Sequence, residues 1–218
     1  MHTLASINIW MNPNLFQVGG LVLSWHGLLT FVAVATAVYL VARWGTKEGL
    51  NTDAIYSVSV WAIIGGIVGA RVVHVIDFWD VVNEFGQQVG YQSDPLRVLY
   101  LWSGGIALFG AITGGFVAGS LYIIVRNSRW FLALWGRFFR FAGAATKAPL
   151  PEVGRLADIA APALLIAMAI GRIGDVINGE HWAKATNLPW GAIYTHPLSL
   201  GLGRPASHPA VAYELLFD

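Results

Sequence analysis

Arg172 and Asp175 stand three residues apart near the end of a long apolar run, with Asn178 and Glu180 just behind them. On a helix, positions 172, 175 and 179 fall on one face. A guanidinium is permanently charged and can hold an anion through two parallel N–H donors, so Arg172 is a candidate anion clamp. The plainer alternative is a side chain that snorkels to a surface or pairs with Asp175. Arg71, with His74 and Asp77 close by at the end of another apolar run, offers a weaker version of the same grip. His26 opens a third run and Ser103 precedes a fourth. Each histidine is either a proton acceptor or a hydrogen-bonded interface residue.

The elements that must carry these groups are set by composition. The chain has 218 residues, 56% hydrophobic and 11% charged, with a mean hydropathy of +0.60. A soluble domain carries about 25% charged residues, so this chain has too few to coat a water-facing surface. A membrane-crossing helix needs roughly 20 mostly apolar residues. Four segments qualify, at about 21–42, 54–76, 104–125 and 156–177, and a further span starts at 209–218. Pro209 suits the first turn of that last helix, where its missing N–H is not needed. An apolar helix that opens there and stops at Asp218 reads as truncated, and the N-terminus, lacking a basic leader, reads as uncleaved. The expected fold is all-α: one polytopic transmembrane helix bundle over residues 1–218, with a small external head from residues 1–20, 78–100 and 178–208.

Orientation follows from Lys and Arg in the connecting loops. The loop after the first span holds Arg43 and Lys47; the loop after the third holds Arg126, Arg129, Arg137, Arg140, Lys147 and Arg155. Residues 77–100 instead hold Asp77, Asp80, Glu84 and Asp94 against Arg97. The N-terminus is therefore expected outside, and the costly ionisable residues gather at the outer ends of the spans, where they could line one outward-opening cavity. In the third loop, about residues 128–142 interleave Trp130, Phe131, Leu134, Trp135, Phe138 and Phe139 with Arg129, Arg137 and Arg140. That spacing predicts an amphipathic helix in the cytoplasmic interface, either a plain anchor or a site for anionic lipid.

Gly65, Gly66 and Gly69, then Gly110, Gly114 and Gly115, then Gly171 and Gly174, recur at spacings that let helix backbones approach. The chain has no cysteine, which excludes disulfides, thiolate metal sites and a protein thiol nucleophile. No His or carboxylate cluster has metal-ligand spacing. The one basic cluster is aromatic-rich and membrane-adjacent, so no nucleic-acid role is implied.

The stretch Gly171-Arg-Ile-Gly-Asp-Val-Ile-Asn-Gly-Glu-His-Trp-Ala resembles the signature of the phosphatidylglycerol–prolipoprotein diacylglyceryl transferases, G-R-x-G-N-F-x-N-x-E-x-x-G. Ser24-Trp-His-Gly-Leu, Gly66-Ile-Val-Gly-Ala-Arg, Trp102-Ser-Gly-Gly-Ile and Arg204-Pro-Ala-Ser-His-Pro-Ala-Val-Ala-Tyr-Glu resemble further family segments, in order. The resemblance covers nearly the whole chain and about the first two thirds of a typical member. It implies an enzyme of the bacterial plasma membrane, without cofactor or metal. Such an enzyme moves a diacylglyceryl group from phosphatidylglycerol to the lipobox cysteine in a prolipoprotein signal-peptide region, with membrane lipids around it. It assigns Arg172 to catalysis. It places Arg71, His74, Asp175, Asn178, Glu180, Arg204, His208, Tyr213 and Glu214 about the substrate.

The chain departs from the family pattern at informative places. Phe109-Gly110 stands where the family has His-Gly, and His26 stands where it often has Tyr. The paired exchange makes His26 a second catalytic candidate, as the base. Asp175 and Val176 replace the signature's Asn and Phe, and Ala183 its last Gly. The chain also stops before the family's final helices, which carry another arginine of functional weight. Asp175 either neutralises Arg172 or orients it. The alternative to an enzyme is a non-catalytic paralogue that binds phospholipid or lipoprotein precursors.

Overall fold

A computed structural model describes residues 6–19, 21–83, 87–100, 104–138 and 150–217. Ser103, Trp102, Glu84, Phe139, Arg140, Lys147 and Asp218, all noted above, lie outside these residues. The described chain is mostly helical: α1 (Trp25–Lys47), α2 (Thr52–Asp77), α3 (Leu108–Asn127), α4 (Arg129–Phe138), α5 (Val153–Asn178) and α6 (Ala210–Phe217). The strands are short: β1 (Ile7–Ile9), β2 (Asn14–Val18), β3 (Leu21–Ser24) and β4 (Ala192–Tyr194). Helices α1, α2, α3 and α5 are each long and apolar enough to cross a bilayer, and the chain is a membrane protein. Two compact units emerge, one from Met1–Trp44 with Ala157–Asp218 and one from Gly45–Leu156.

In the first unit, β2 and β3 form an antiparallel hairpin, and β1 pairs in parallel with β4, Ile7 facing Ala192 and Ile9 facing Tyr194. The expected first span began near Leu21, yet the helix starts at Trp25. Leu21–Ser24 pairs with β2 instead, and the Ser24 hydroxyl accepts the Gly27 N–H at 3.0 Å. That is an N-cap bond, which satisfies a donor the first helical turn leaves free and fixes where the helix begins. Ala33 and Ala37 of α1 and Ala167 of α5 form a small buried core, with Ile170 packed on it. A Cβ added to Gly174 would stand 2.8 Å from the His26 Cα, so the glycine is what lets α5 reach the start of α1.

In the second unit, Asn51 caps α2 by accepting the Ala54 N–H at 3.0 Å. Helices α2 and α3 then meet backbone to backbone. A Cβ on Gly69 would lie 2.8 Å from Gly114 Cα, and one on Gly115 would lie 3.0 Å from the Ala62 carbonyl oxygen. The glycine spacing therefore serves close helix packing. The third span was expected from Gly104, but α3 begins at Leu108. Gly104 and Gly105 both have φ of +78°, a left-handed conformation that no right-handed helix contains. Two 3-10 turns, Tyr91–Ser93 and Pro95–Leu99, fold the segment before them. Ser128 separates α3 from α4, and Leu150 is held from both sides by the Asn127 amide, at 3.0 and 2.9 Å.

Candidate functional site

The site grows from the last turns of α5. Asp175 and Arg172 lie one turn apart, and the Arg172 Nη1 stands 3.2 Å from Asp175 Oδ2. The other carboxylate oxygen, Oδ1, is 2.8 Å from Nδ1 of His26 in the first turn of α1. The two groups are in close contact, and no hydrogen bond of good geometry is formed at Nδ1. Arg172 turns its second terminal nitrogen, Nη2, to Glu214 of α6 at 2.8 Å. A continuous row results: His26, Asp175, Arg172, Glu214. Its two carboxylates differ in exposure. The Asp175 side chain keeps 10% of its surface, whereas Glu214 keeps 53%.

Beyond Asp175 the helix ends at Gly179, whose φ of +76° turns the chain back. A Cβ there would press within 3.0 Å of the Tyr194 ring. The turn brings His181 Nε2 to 3.8 Å from Asp175 Oδ2. The amide of Asn178 donates to Glu180 Oε1, so these two side chains form a pair of their own. Trp182 donates its indole N–H to the Gly179 carbonyl at 2.8 Å, and the Arg204 guanidinium lies 3.2 Å over the Trp182 ring. Tyr194 donates to the Val176 carbonyl at 2.9 Å, and burial pushes its phenol above the ordinary range. At the start of α6, Trp190 donates to the Tyr213 hydroxyl at 2.9 Å, and His208 Nδ1 lies 3.4 Å from that same oxygen. His26, Arg172, Asp175, Asn178, Glu180, Arg204, His208, Tyr213 and Glu214 thus all belong to the first unit.

Arg71 and His74 belong to the second unit, and there the expected anion grip meets a different geometry. The Arg71 residue is 4% exposed. Its Nε donates to Val98 at 2.9 Å, Nη1 to Gly104 and Gly105 at 2.6 and 2.9 Å, and Nη2 to Arg97 and Tyr100 at 2.5 and 3.2 Å. Those five carbonyls occupy all five guanidinium N–H groups. Arg71 is a clamp on the loop before α3, backed by the Tyr91 ring at 5.1 Å. His74 stacks on Phe78 at 4.5 Å and meets Tyr91 edge-on at 5.8 Å. Phe109 lies open at 79% exposure.

His181, Trp182, Trp190 and Tyr194 were not singled out from the sequence. His181 was open to discovery, because a glycine just past a helix end folds the following residues back over the last turn. Among the described residues no group of three His, Cys or carboxylate side chains could hold a metal ion.

Residues 13–218 match the family model for prolipoprotein diacylglyceryl transferase. The chain is similar to the phosphatidylglycerol–prolipoprotein diacylglyceryl transferase of Nostoc sp., at 31% identity over 94% of this chain and 62% of the relative. It is likewise similar to that of Synechococcus elongatus, at 32% over 94% and 61%, and to that of Geobacter sulfurreducens, at 27% over 95% and 67%. The chain thus spans about 62% of the length of the first of these relatives. Taken with the row of side chains at the junction of α1, α5 and α6, these matches mean that the chain belongs to the prolipoprotein diacylglyceryl transferase family.

Proposed function

We propose that this chain carries the headgroup-handling part of a transferase that moves a diacylglyceryl group from phosphatidylglycerol to the lipobox cysteine of a prolipoprotein. The observation that carries the reading is the row His26, Asp175, Arg172, Glu214, in which an imidazole and a guanidinium share one buried carboxylate. The thiol of the acceptor loses its proton to His26, and the thiolate sulfur attacks the terminal glyceryl carbon. The carbon–oxygen bond to phosphate breaks, and its electron pair leaves with glycerol phosphate. A thioether forms. A thiol with an ordinary pKa near 8.5 needs such a base to react at neutral pH.

Negative charge builds on the departing phosphate, where a fixed cation lowers the barrier. Arg172 supplies it. Its contact with exposed Glu214 exchanges for the phosphodiester, while Asp175 keeps the guanidinium aimed. Asn178, Glu180, Arg204, His208 and Tyr213 shape the head-group pocket; Arg71 and His74, in the second unit, are further substrate-side candidates, and there Arg71 grips the carbonyls of Arg97, Val98, Tyr100, Gly104 and Gly105. In this reading the N-terminus and the row face the outside of a bacterial plasma membrane, within a single membrane domain.

The test is complementation of a transferase-depleted bacterium with the full-length gene, scored by the thioether-modified lipoprotein. Growth with modified lipoprotein supports the proposal. Failure despite normal membrane expression overturns it. Bridging of Arg172 by two carboxylates favours a second reading, a paralogue that binds phospholipid or lipoprotein precursors without chemistry. Binding of phosphatidylglycerol with no thioether product would single that reading out.

A further inference from the structure

Helix α4 leaves the end of a spanning helix with Ser128 alone between them. Its take-off is fixed twice. The buried Arg126 guanidinium lies 5.5 Å over the Phe131 ring, and the Asn127 amide is locked to Leu150. Continuity with α3 therefore puts α4 at the level where α3 leaves the bilayer. At 100° per residue, Trp130, Phe131, Leu134, Trp135 and Phe138 fall on one side and Arg129, Ala133 and Gly136 on the other, where Leu132 is the one large apolar residue, with Arg137 at the edge beside Trp130. Phe131 and Trp135 stack on each other at 5.7 Å and are half-buried. Trp130, Leu134 and Phe138 are exposed, at 66%, 42% and 59%. No acidic residue occurs in the helix.

We infer that α4 lies flat in the bilayer face at the Asn127 end of α3. Trp130, Leu134 and Phe138 sit among the acyl chains, and Arg129 and Arg137 sit on anionic phospholipid head groups. Position, sidedness and charge all point to a lipid surface. A short helix joined to a span by one residue has its exposed apolar side at bilayer depth, where acyl chains cover it and water does not. Two arginines and no carboxylate favour a leaflet of negative sign.

The absence of native cysteine makes the test direct. The full chain is reconstituted with a fluorophore on Leu134→Cys or on Ala133→Cys, in vesicles of phosphatidylcholine alone or mixed with phosphatidylglycerol. The label at 134 is expected to be quenched by acrylamide at least about threefold less than the label at 133, and more strongly by brominated lipid, because position 134 lies within the apolar side and position 133, 100° round the helix, lies outside it. Protection at 134 is expected to be greater with phosphatidylglycerol, and to shrink in high salt or in the double variant R129Q/R137Q. Equal acrylamide access at both positions overturns the interfacial placement. So does protection at 134 from acrylamide and brominated lipid alike, which means that a protein covers the face. Equal protection with and without phosphatidylglycerol overturns the head-group contact.

Discussion

The His26 imidazole and the Asp175 carboxylate meet at 2.8 Å, although one opens α1 and the other closes α5. The approach depends on a third residue, Gly174, whose missing side chain makes room for the His26 backbone. If His26 is the base, its loss removes a proton acceptor and leaves the lipid contacts standing. His26→Gln is expected to lower kcat by about 10²- to 10⁴-fold, the usual worth of a positioned acid or base, with KM for phosphatidylglycerol little changed. Transfer of lipid to a lipobox peptide by the full-length enzyme measures both constants. An unaltered kcat would remove His26 from the mechanism.

Asp175 acts through its neighbours, so its substitution separates support from reaction. Asp175→Ala is expected to lower kcat by about 10-fold or more, up to the roughly 10⁴-fold seen when an orienting carboxylate is lost. Asp175→Asn keeps the shape and one acceptor oxygen and is expected to retain more activity than Asp175→Ala. If both variants matched the parent in kcat while losing thermal stability, the carboxylate would be purely structural.

Arg172 holds two carboxylates through two separate nitrogens, a geometry that a single ammonium cannot reproduce. Arg172→Lys keeps the charge and is nonetheless expected to reduce kcat by about 10²- to 10³-fold, comparable to loss of one transition-state donor. Near-normal turnover in this variant would show that charge alone suffices.

Removing Arg71 strands five carbonyls in a buried place. Arg71→Ala is expected to shorten the thermal half-life in detergent markedly, since each buried polar group left unpaired costs about 1–3 kcal/mol. Arg71→Lys offers at most three donors and should recover part of it. The readout is folded protein surviving a heat series, by size exclusion. A stable Arg71→Ala with normal activity would contradict the clamp.

The glycines between α2 and α3 give a prediction about packing. Gly69→Ala or Gly115→Ala forces the two backbones apart, at a cost of about 1–3 kcal/mol typical of overpacked cores. The same heat series should show both variants weakened, while Gly136→Ala, at a site with open space around it, should behave like the parent.

The four spans were legible because their runs exceed what any soluble element needs, and the shared face of Arg172 and Asp175 was legible because helical period fixes it. The start of α1 was not. Leu21–Ser24 is apolar in either secondary structure, and only its pairing with β2 decides for a strand. The contact of His26 with Asp175 is long-range, so no local spacing announces it. Arg71 misled for a different reason. A basic residue at a span end suggests an anion, yet its partners are main-chain carbonyls, which residue types do not reveal.

The parallel pairing of Ile7–Ile9 with Ala192–Tyr194 has a consequence for biogenesis. A ribosome finishes every residue of the second compact unit before the first unit can close. The amino-terminal strand must wait, unpaired, through the synthesis of all four long hydrophobic helices before its partner is made. Late closure of this kind lengthens the interval in which a nascent chain is exposed to proteases and insertion factors, and the unit exposed in that interval is the one that bears Arg172.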